Sequence, residues 1–231
     1  MNNIAFNIEE IRDRVSSSLK ASNRPGDAVT LLAVSKTRSV AEICEAMAAG
    51  IEDFGENYLQ EACVKISEIS PSSSASPRWH YIGPIQANKT RTISELFHWV
   101  HTVDRLKIAQ RLSAQRPEQL PPLNICIQVN IDNEATKAGI NLEDVPALAA
   151  EIHQLPGITL RGLMIIPQKE ADNEQRKKTF RTLAKTLDTL KASIPELDTL
   201  SMGMSADYSL AIQEGATCIR VGSAIFGPRT G

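Results

Sequence analysis

The chain reads as an α/β protein, a single-domain (β/α)8 TIM barrel over residues 1–231 with an extra helix at its amino-terminal end. Three observations predict this. Eight strand-sized apolar segments alternate with helical stripes along the whole chain, and strict alternation implies parallel pairing, because a parallel connection needs a crossover of roughly a dozen residues. Alternation alone also fits an open doubly wound sheet, but eight units in 231 residues match the usual length of a closed barrel. A faint internal repeat agrees: Ala46 to Gly55 and Ala211 to Gly222 both run helix, glycine stop, strand, glycine.

In order, Ile4, Ile8, Ile11, Val15 and Leu19 form a stripe at helical spacing whose intervening residues are polar, the mark of a packing helix. Pro25-Gly26-Asp27 breaks it, and Val29 to Ser35 reads as a buried strand that runs into Lys36-Thr37. Val40, Ile43 and Met47 form the next stripe, stopped by Gly50 in a position that suits a left-handed residue past a helix end. A short strand, Ile51 to Phe54, precedes Gly55-Glu56-Asn57. The further strands are Trp79 to Ile82, Trp99 to Val103, Asn124 to Asn130, Thr159 to Ile165, Thr199 to Gly203 and Thr217 to Val221. Helical stripes between them include Leu106, Ala109 and Leu112, then Val145, Leu148, Ile152 and Leu155, then Phe180, Leu183, Leu187 and Leu190. The serine-rich run Pro71 to Pro77 lies between a helix and a strand, on the face of a barrel that is remote from chemistry.

Composition excludes several functions. Twenty-five Lys+Arg against 27 Asp+Glu give a net charge of −2, which offers no excess positive field for nucleic acid or an anionic membrane. No apolar run approaches the roughly 18 residues of a membrane span. Glu9 and Glu10 fall where a secretory signal would be apolar, so the expected compartment is the cytoplasm. Cys44, Cys63, Cys126 and Cys218 show no paired spacing and read as buried free thiols, and the four histidines make no metal-binding pattern.

In a barrel, function gathers at the carboxyl ends of the strands. The first strand leads to Lys36. A lysine desolvated at the barrel mouth keeps an amine usable for Schiff-base formation, whereas the bland alternative is a surface lysine opening a loop. The seventh strand leads into Ser201-Met202-Gly203-Met204-Ser205 and the eighth into Arg220-Val221-Gly222-Ser223. Glycines let backbone approach a ligand, and amides with serine hydroxyls cradle an anion, although each serine would also serve as a helix cap. Barrels often carry a phosphate site in these two loops. An amine facing a phosphate cradle suits pyridoxal 5′-phosphate (PLP), and it equally suits a lysine-dependent aldolase acting on a sugar phosphate. Composition and spacing do not separate the two.

Five ordered motifs do. Leu32 to Thr37, Phe54 to Tyr58, Trp79 to Lys89, Arg161 to Met164, and Leu200 to Ser205 with Ile219 to Gly227 resemble the pyridoxal phosphate homeostasis protein family over nearly the whole chain. The resemblance implies a PLP-binding barrel like the amino-terminal domain of alanine racemase, with a role in PLP supply and storage and no demonstrated general catalytic reaction. It implies that Lys36 holds PLP as a Schiff base, that Asn57 lines the pocket, and that Ser201, Ser205, Gly222 and Ser223 hold the phosphate. Arg220 would face the pyridine nitrogen, and Met204 belongs to the same cofactor-binding set. Two departures stand out: Ser223 replaces the threonine of many members, and Ala206 separates Ser205 from Asp207 where many have serine directly before aspartate.

The implied Arg220 contact restricts chemistry. A guanidinium only donates, so it meets an unprotonated pyridine nitrogen and leaves the ring a weaker electron sink. The alternative is a PLP-dependent amino-acid racemase or lyase, and racemisation needs a base on each face of the substrate. Alanine racemases place a tyrosine there with help from an added domain and a partner subunit, whereas this sequence stops eleven residues after Arg220 and has three tyrosines. The expectation is therefore a monomeric carrier whose partners are PLP and PLP-dependent apoenzymes. Lys137, after the fifth strand, is a candidate second amine that accepts PLP during transfer.

Overall fold

The computed structural model describes residues 3–26, 28–69, 77–131, 138–168 and 170–228. Its strands are β1 (Thr30–Val34), β2 (Asp53–Glu56), β3 (Arg78–Tyr81), β4 (Trp99–Val103), β5 (Leu123–Val129), β6 (Ile158–Ile165), β7 (Thr199–Met204) and β8 (Cys218–Val221). All pair in parallel in chain order, and β8 pairs back onto β1 to close the barrel. Helix α1 (Ile4–Ala21) precedes β1. One helix then follows each strand: α2 (Val40–Ala48), α3 (Leu59–Ile69), α4 (Thr90–Leu96), α5 (Leu106–Gln115), α6 (Val145–His153), α7 (Asn173–Lys191), α8 (Tyr208–Gln213) and α9 (Ser223–Phe226). The (β/α)8 expectation holds, with α1 as the additional helix.

The extra helix has a physical reason to be there. Asn3 caps it by accepting from the Phe6 N–H at 3.0 Å, and Ile4, Ile8, Ile11 and Leu19 are buried along one face. Arg12 donates to the carbonyls of Ala49 and Gly50 at 2.9 and 2.7 Å, and Asn7 donates to the Ile225 carbonyl at 2.8 Å. α1 therefore fastens the seam where the last and first units meet. α2 begins with a reciprocal Ser39–Glu42 capping box and ends at Gly50, whose φ of +80° is the left-handed geometry expected of it.

Strand periodicity sorts the residues. One face of the strands packs outward against the helices, as where Phe54 meets Trp79 with ring centres 5.8 Å apart. The other face fills the barrel, where Gly55 lies against the side chains of Leu32 and Ile82. Gly162, within the arginine–glycine–leucine–methionine motif, is required by sterics. A Cβ there would lie 1.8 Å from the Thr199 carbonyl oxygen across the β6–β7 pair.

The largest boundary difference is at β2, which spans Asp53–Glu56 rather than Ile51–Phe54. Sequence reading stopped at the glycine and the acid, but Gly55 faces the barrel interior and Glu56 is neutralised on the outside by Lys65. The same ion pair hid α3, because Lys65 occupies a buried position of the helix where an apolar residue would be expected. Helices α8 and α9 have six and four residues, too few to show a period. The cysteines are all free, yet Cys44 is exposed and Cys63 half-buried, so only Cys126 and Cys218 fit the expected burial. Burial pushes the Cys218 thiol up to about 12, which leaves it unreactive. Residues 71–76 of the serine-rich run lie outside the described residues. No described helix is long and apolar enough to cross a membrane.

Candidate functional site

A cavity of about 400 Å³ opens at the carboxyl ends of the strands, within the size range of small-molecule sites. Lys36 enters it just past β1, Asn57 just past β2, Met204 and Ser205 from the end of β7, and Arg220, Gly222 and Ser223 from β8. Val34, Ile82, Met164 and Ile166 give it apolar walls. Seven of the eight residues selected from sequence therefore line one cavity. Ser201 is the exception. It is fully buried inside the barrel, three residues before the end of β7, and its hydroxyl pairs with Arg220 and His101 rather than facing the cavity. It therefore lies under Arg220 and outside the cavity lining, apart from Ser205, Gly222 and Ser223 with which the expectation grouped it. Lys137 lies outside the described residues.

A buried ionic cluster fixes the Lys36 segment. Lys65 donates from Nζ to the Ser35 carbonyl at 2.7 Å, to Glu56 Oε1 at 2.8 Å and to Glu61 Oε1. Ser35 Oγ donates to the same Glu56 oxygen at 2.6 Å. Glu61 in turn accepts from the Thr37 N–H at 2.6 Å and holds Thr37 at φ +63°, a conformation that costs a β-branched residue about 1–3 kcal/mol. The turn that follows Lys36 is thus imposed by charge, not by local preference. Burial raises the Glu56 carboxyl above its ordinary range, with the Lys65 and Ser35 bonds opposing that rise.

Close backbone contacts shape the other edges. Gly83 touches the Asn57 backbone so tightly that a Cβ would lie 2.3 Å from the Asn57 carbonyl oxygen. The Asn57 Oδ1 it helps place is buried and has no hydrogen-bond partner among the described residues. On β7, Gly203 adopts φ +91° with α8 close behind it, which re-aims Met204 and Ser205 where the β7–β8 register shifts. Asp207 closes that turn by accepting from the Met204 N–H at 2.7 Å. The acid displaced by Ala206 thus shapes the loop. Across the mouth, Arg38 donates to the Phe226 and Gly227 carbonyls at 3.0 and 2.6 Å and fixes the end of the last unit.

Arg220 is buried, with Nη1 donating to Ser201 Oγ and Nη2 to the Ile165 carbonyl, both at 2.7 Å. Burial draws its pKa below the ordinary value, still far above neutrality for a guanidinium. Together, Lys36, Arg38 and Arg220 line the cavity, and no carboxylate does so among the described residues. The opposite mouth is electrically different. A cavity of about 460 Å³ there is lined by Asp53, Arg78, Arg161 and Asp198, and these pair with each other. An anionic ligand therefore favours the carboxyl end, where an amine, a donor-only guanidinium and apolar walls suit a flat molecule carrying a phosphate and a carbonyl.

Sequence reading missed Arg38 and the apolar wall. Arg38 directly follows the Leu32–Thr37 motif, and a basic residue two positions after Lys36 was a usable signal for an anion. Ile82 and Met164 sit inside motifs that were quoted for resemblance but not assigned to the pocket.

Comparison with known proteins agrees with this geometry. Residues 1–230 match the family described as alanine racemase, N-terminal domain. The chain is 53% identical over 229 residues to the pyridoxal phosphate homeostasis protein of Pseudomonas aeruginosa, covering 99% of this chain and 97% of that one. It is 46% identical to the protein of the same name from Escherichia coli K12, covering 99% and 98%. Among solved structures, PipY of Synechococcus elongatus PCC7942 with PLP bound superposes with a TM-score of 0.80 at 37% identity, covering 94% of this chain and 100% of that one.

Proposed function

Since the chain belongs to the alanine racemase N-terminal domain family, we propose that it binds PLP in the carboxyl-end cavity and serves PLP homeostasis. In this reading it is a monomer in the cytoplasm that takes up, holds and releases the cofactor, with PLP-dependent apoenzymes as recipients. The observation that carries the reading is the lining of the cavity: three cations and no carboxylate among the described residues, around apolar walls.

The residues present fit the group. When bound, the cofactor supplies an aldehyde for an amine and a dianionic phosphate. Lys36 is the amine. Ser205, Gly222 and Ser223, small residues just past the ends of β7 and β8, form the cradle for the phosphate, with Met204 at the end of β7 and Arg38 adding charge. Asn57 offers a buried acceptor, and Arg220 offers N–H groups to the ring nitrogen. Val34, Ile82, Met164 and Ile166 exclude water from the ring faces.

A racemase needs a base on each side of its substrate, and the described residues of this cavity supply too few. Its titratable lining consists of Lys36 and two arginines among the described residues, and guanidinium groups do not exchange protons near neutral pH. Tyr81 Oη is committed to the Pro84 carbonyl at 3.0 Å, Tyr58 is exposed, and Tyr208 is buried outside the lining. The test is a chiral assay over the common amino acids run beside reactivation of a PLP-dependent apoenzyme. Reactivation without racemisation is expected. Turnover at ordinary enzyme rates, about 1 per second or faster, overturns the carrier reading.

The Asn57 position gives a finer test. Gly83→Ala forces the Asn57 backbone to shift, because the added Cβ overlaps its carbonyl oxygen. PLP affinity is expected to fall about tenfold, the equivalent of a modest overpacking penalty, while borohydride still fixes the cofactor to Lys36. An unchanged dissociation constant removes Asn57 from the site.

A further inference from the structure

Five polar side chains run hydrogen-bonded along the barrel axis between its two mouths. Asp53 Oδ1 lies 2.9 Å from His80 Nε2, and His80 Nδ1 lies 3.0 Å from His101 Nε2. His101 Nδ1 lies 2.7 Å from Ser201 Oγ, which accepts from Arg220 Nη1 at 2.7 Å. The five stand on five different strands, Asp53 on β2, His80 on β3, His101 on β4, Ser201 on β7 and Arg220 on β8, and all are buried.

The protons in this chain have one consistent arrangement. Burial favours raising the Asp53 pKa, but a two-point bond from Arg78 at 2.7 Å, together with His80, outweighs it and holds the carboxyl well below the usual range. Asp53 is therefore an acceptor, so His80 must carry a proton on Nε2. Burial also keeps both imidazoles neutral. A neutral His80 with its proton on Nε2 has a bare Nδ1, which accepts from His101 Nε2. A neutral His101 then has a bare Nδ1, which accepts the Ser201 hydroxyl proton. Ser201 keeps a lone pair for Arg220, which donates only. Each donor points from Arg220 toward Asp53, and no member is left without a proton or with one too many.

Building on the reading of Arg220 as the cofactor's ring contact, we infer that Asp53, His80, His101 and Ser201 are positioning residues that orient its guanidinium. The relay fixes Nη1 downward and the Ile165 carbonyl fixes Nη2, which sets the plane of the group and directs its remaining N–H bonds into the cavity. The bridging groups are neutral, so the compensating carboxylate stands at the far end of the axis and Arg220 meets the cavity with its charge. None of the four touches the cavity at its carboxyl end.

Nitrogen-15 NMR of the cofactor-free wild-type protein tests the relay directly. Both His80 and His101 are expected to be neutral with the proton on Nε2, unchanged between about pH 6 and about pH 8. A proton on Nδ1 of either ring, or a charged ring, overturns the relay. The second measurement is PLP titration of Ser201→Ala, which leaves Arg220 Nη1 without its acceptor. About tenfold weaker binding is expected, with a shifted absorption band for the bound cofactor and borohydride labelling still at Lys36. Wild-type affinity and spectrum in a folded Ser201→Ala overturn the positioning role, and if that variant does not fold, the histidine tautomers decide. Failure of the wild-type protein to bind PLP at all counts against the proposed function and leaves the tautomer result standing.

Discussion

Lys36→Ala is expected to abolish the yellow, borohydride-reducible PLP adduct completely while leaving the barrel folded. Lys36 stands two residues past the end of β1, outside the hydrogen-bonded register, and lines the cavity without belonging to the hydrophobic core. Its loss removes an amine and little packing. No other described lysine can take over. Lys65 bonds this segment, but its ammonium is buried with three acceptors and does not line the cavity. Lys89 follows β3 and does not line the cavity. The variant keeps Arg38, Arg220 and the serine cradle, so weak reversible binding of the phosphate end should survive as residual affinity without the visible band. Absorbance titration followed by reduction and mass spectrometry reads both effects. Full binding with a normal band in Lys36→Ala shows that another group holds the aldehyde.

The second large effect is on stability. Lys65→Met removes the cation that neutralises Glu56, which has no exposed side-chain surface. Breaking a buried pair in this way costs about 3–5 kcal/mol, a large share of the 5–15 kcal/mol by which a typical domain is stable. The effect has a definite pH dependence. The folded-state pKa of Glu56 is raised by burial, so the folded protein binds more protons than the unfolded one above the ordinary glutamate range, and stability falls as pH rises through that window. Without Lys65 the carboxylate is less favourable still and the window extends upward. Urea unfolding should therefore show a smaller gap between wild type and Lys65→Met near about pH 5 than near about pH 8. Adding Glu56→Gln to the variant should recover part of the loss. A gap that is independent of pH means the ionic cluster does not carry the energy assigned to it. Lys65→Met also removes the bond to the Ser35 carbonyl that holds the segment leading to Lys36, so the variant's Lys36 should react more slowly with PLP.

What was legible in sequence was whatever repeats locally. β4 falls at Trp99–Val103 as expected, because an apolar strand between turns announces itself without its neighbours. Lys36, Ser205, Arg220, Gly222 and Ser223 were legible because barrel closure brings strand ends together by rule, and the structure does bring them to one cavity. Features that depend on pairs distant in sequence were hidden. Glu56 and Lys65 each look wrong for a buried face until they are seen together. His80 and His101 have no metal-like spacing, and they meet only because β3 and β4 are neighbours with both residues facing inward. A polar residue between Trp79 and Tyr81, and another between Val100 and Thr102, was the available signal. Ser201 was misplaced because the loop motif does not reveal that Gly203 turns the chain after it. The deeper hydroxyl therefore pairs inside the barrel, whereas Ser205 lines the cavity.

Peptide mapping of the wild-type protein after incubation with PLP and reduction by borohydride tests the central claim most directly. The account predicts a stoichiometric pyridoxyl label on Lys36. A protein that stays colourless and unlabelled, or one whose label falls on another lysine with Lys36 unmodified, contradicts it.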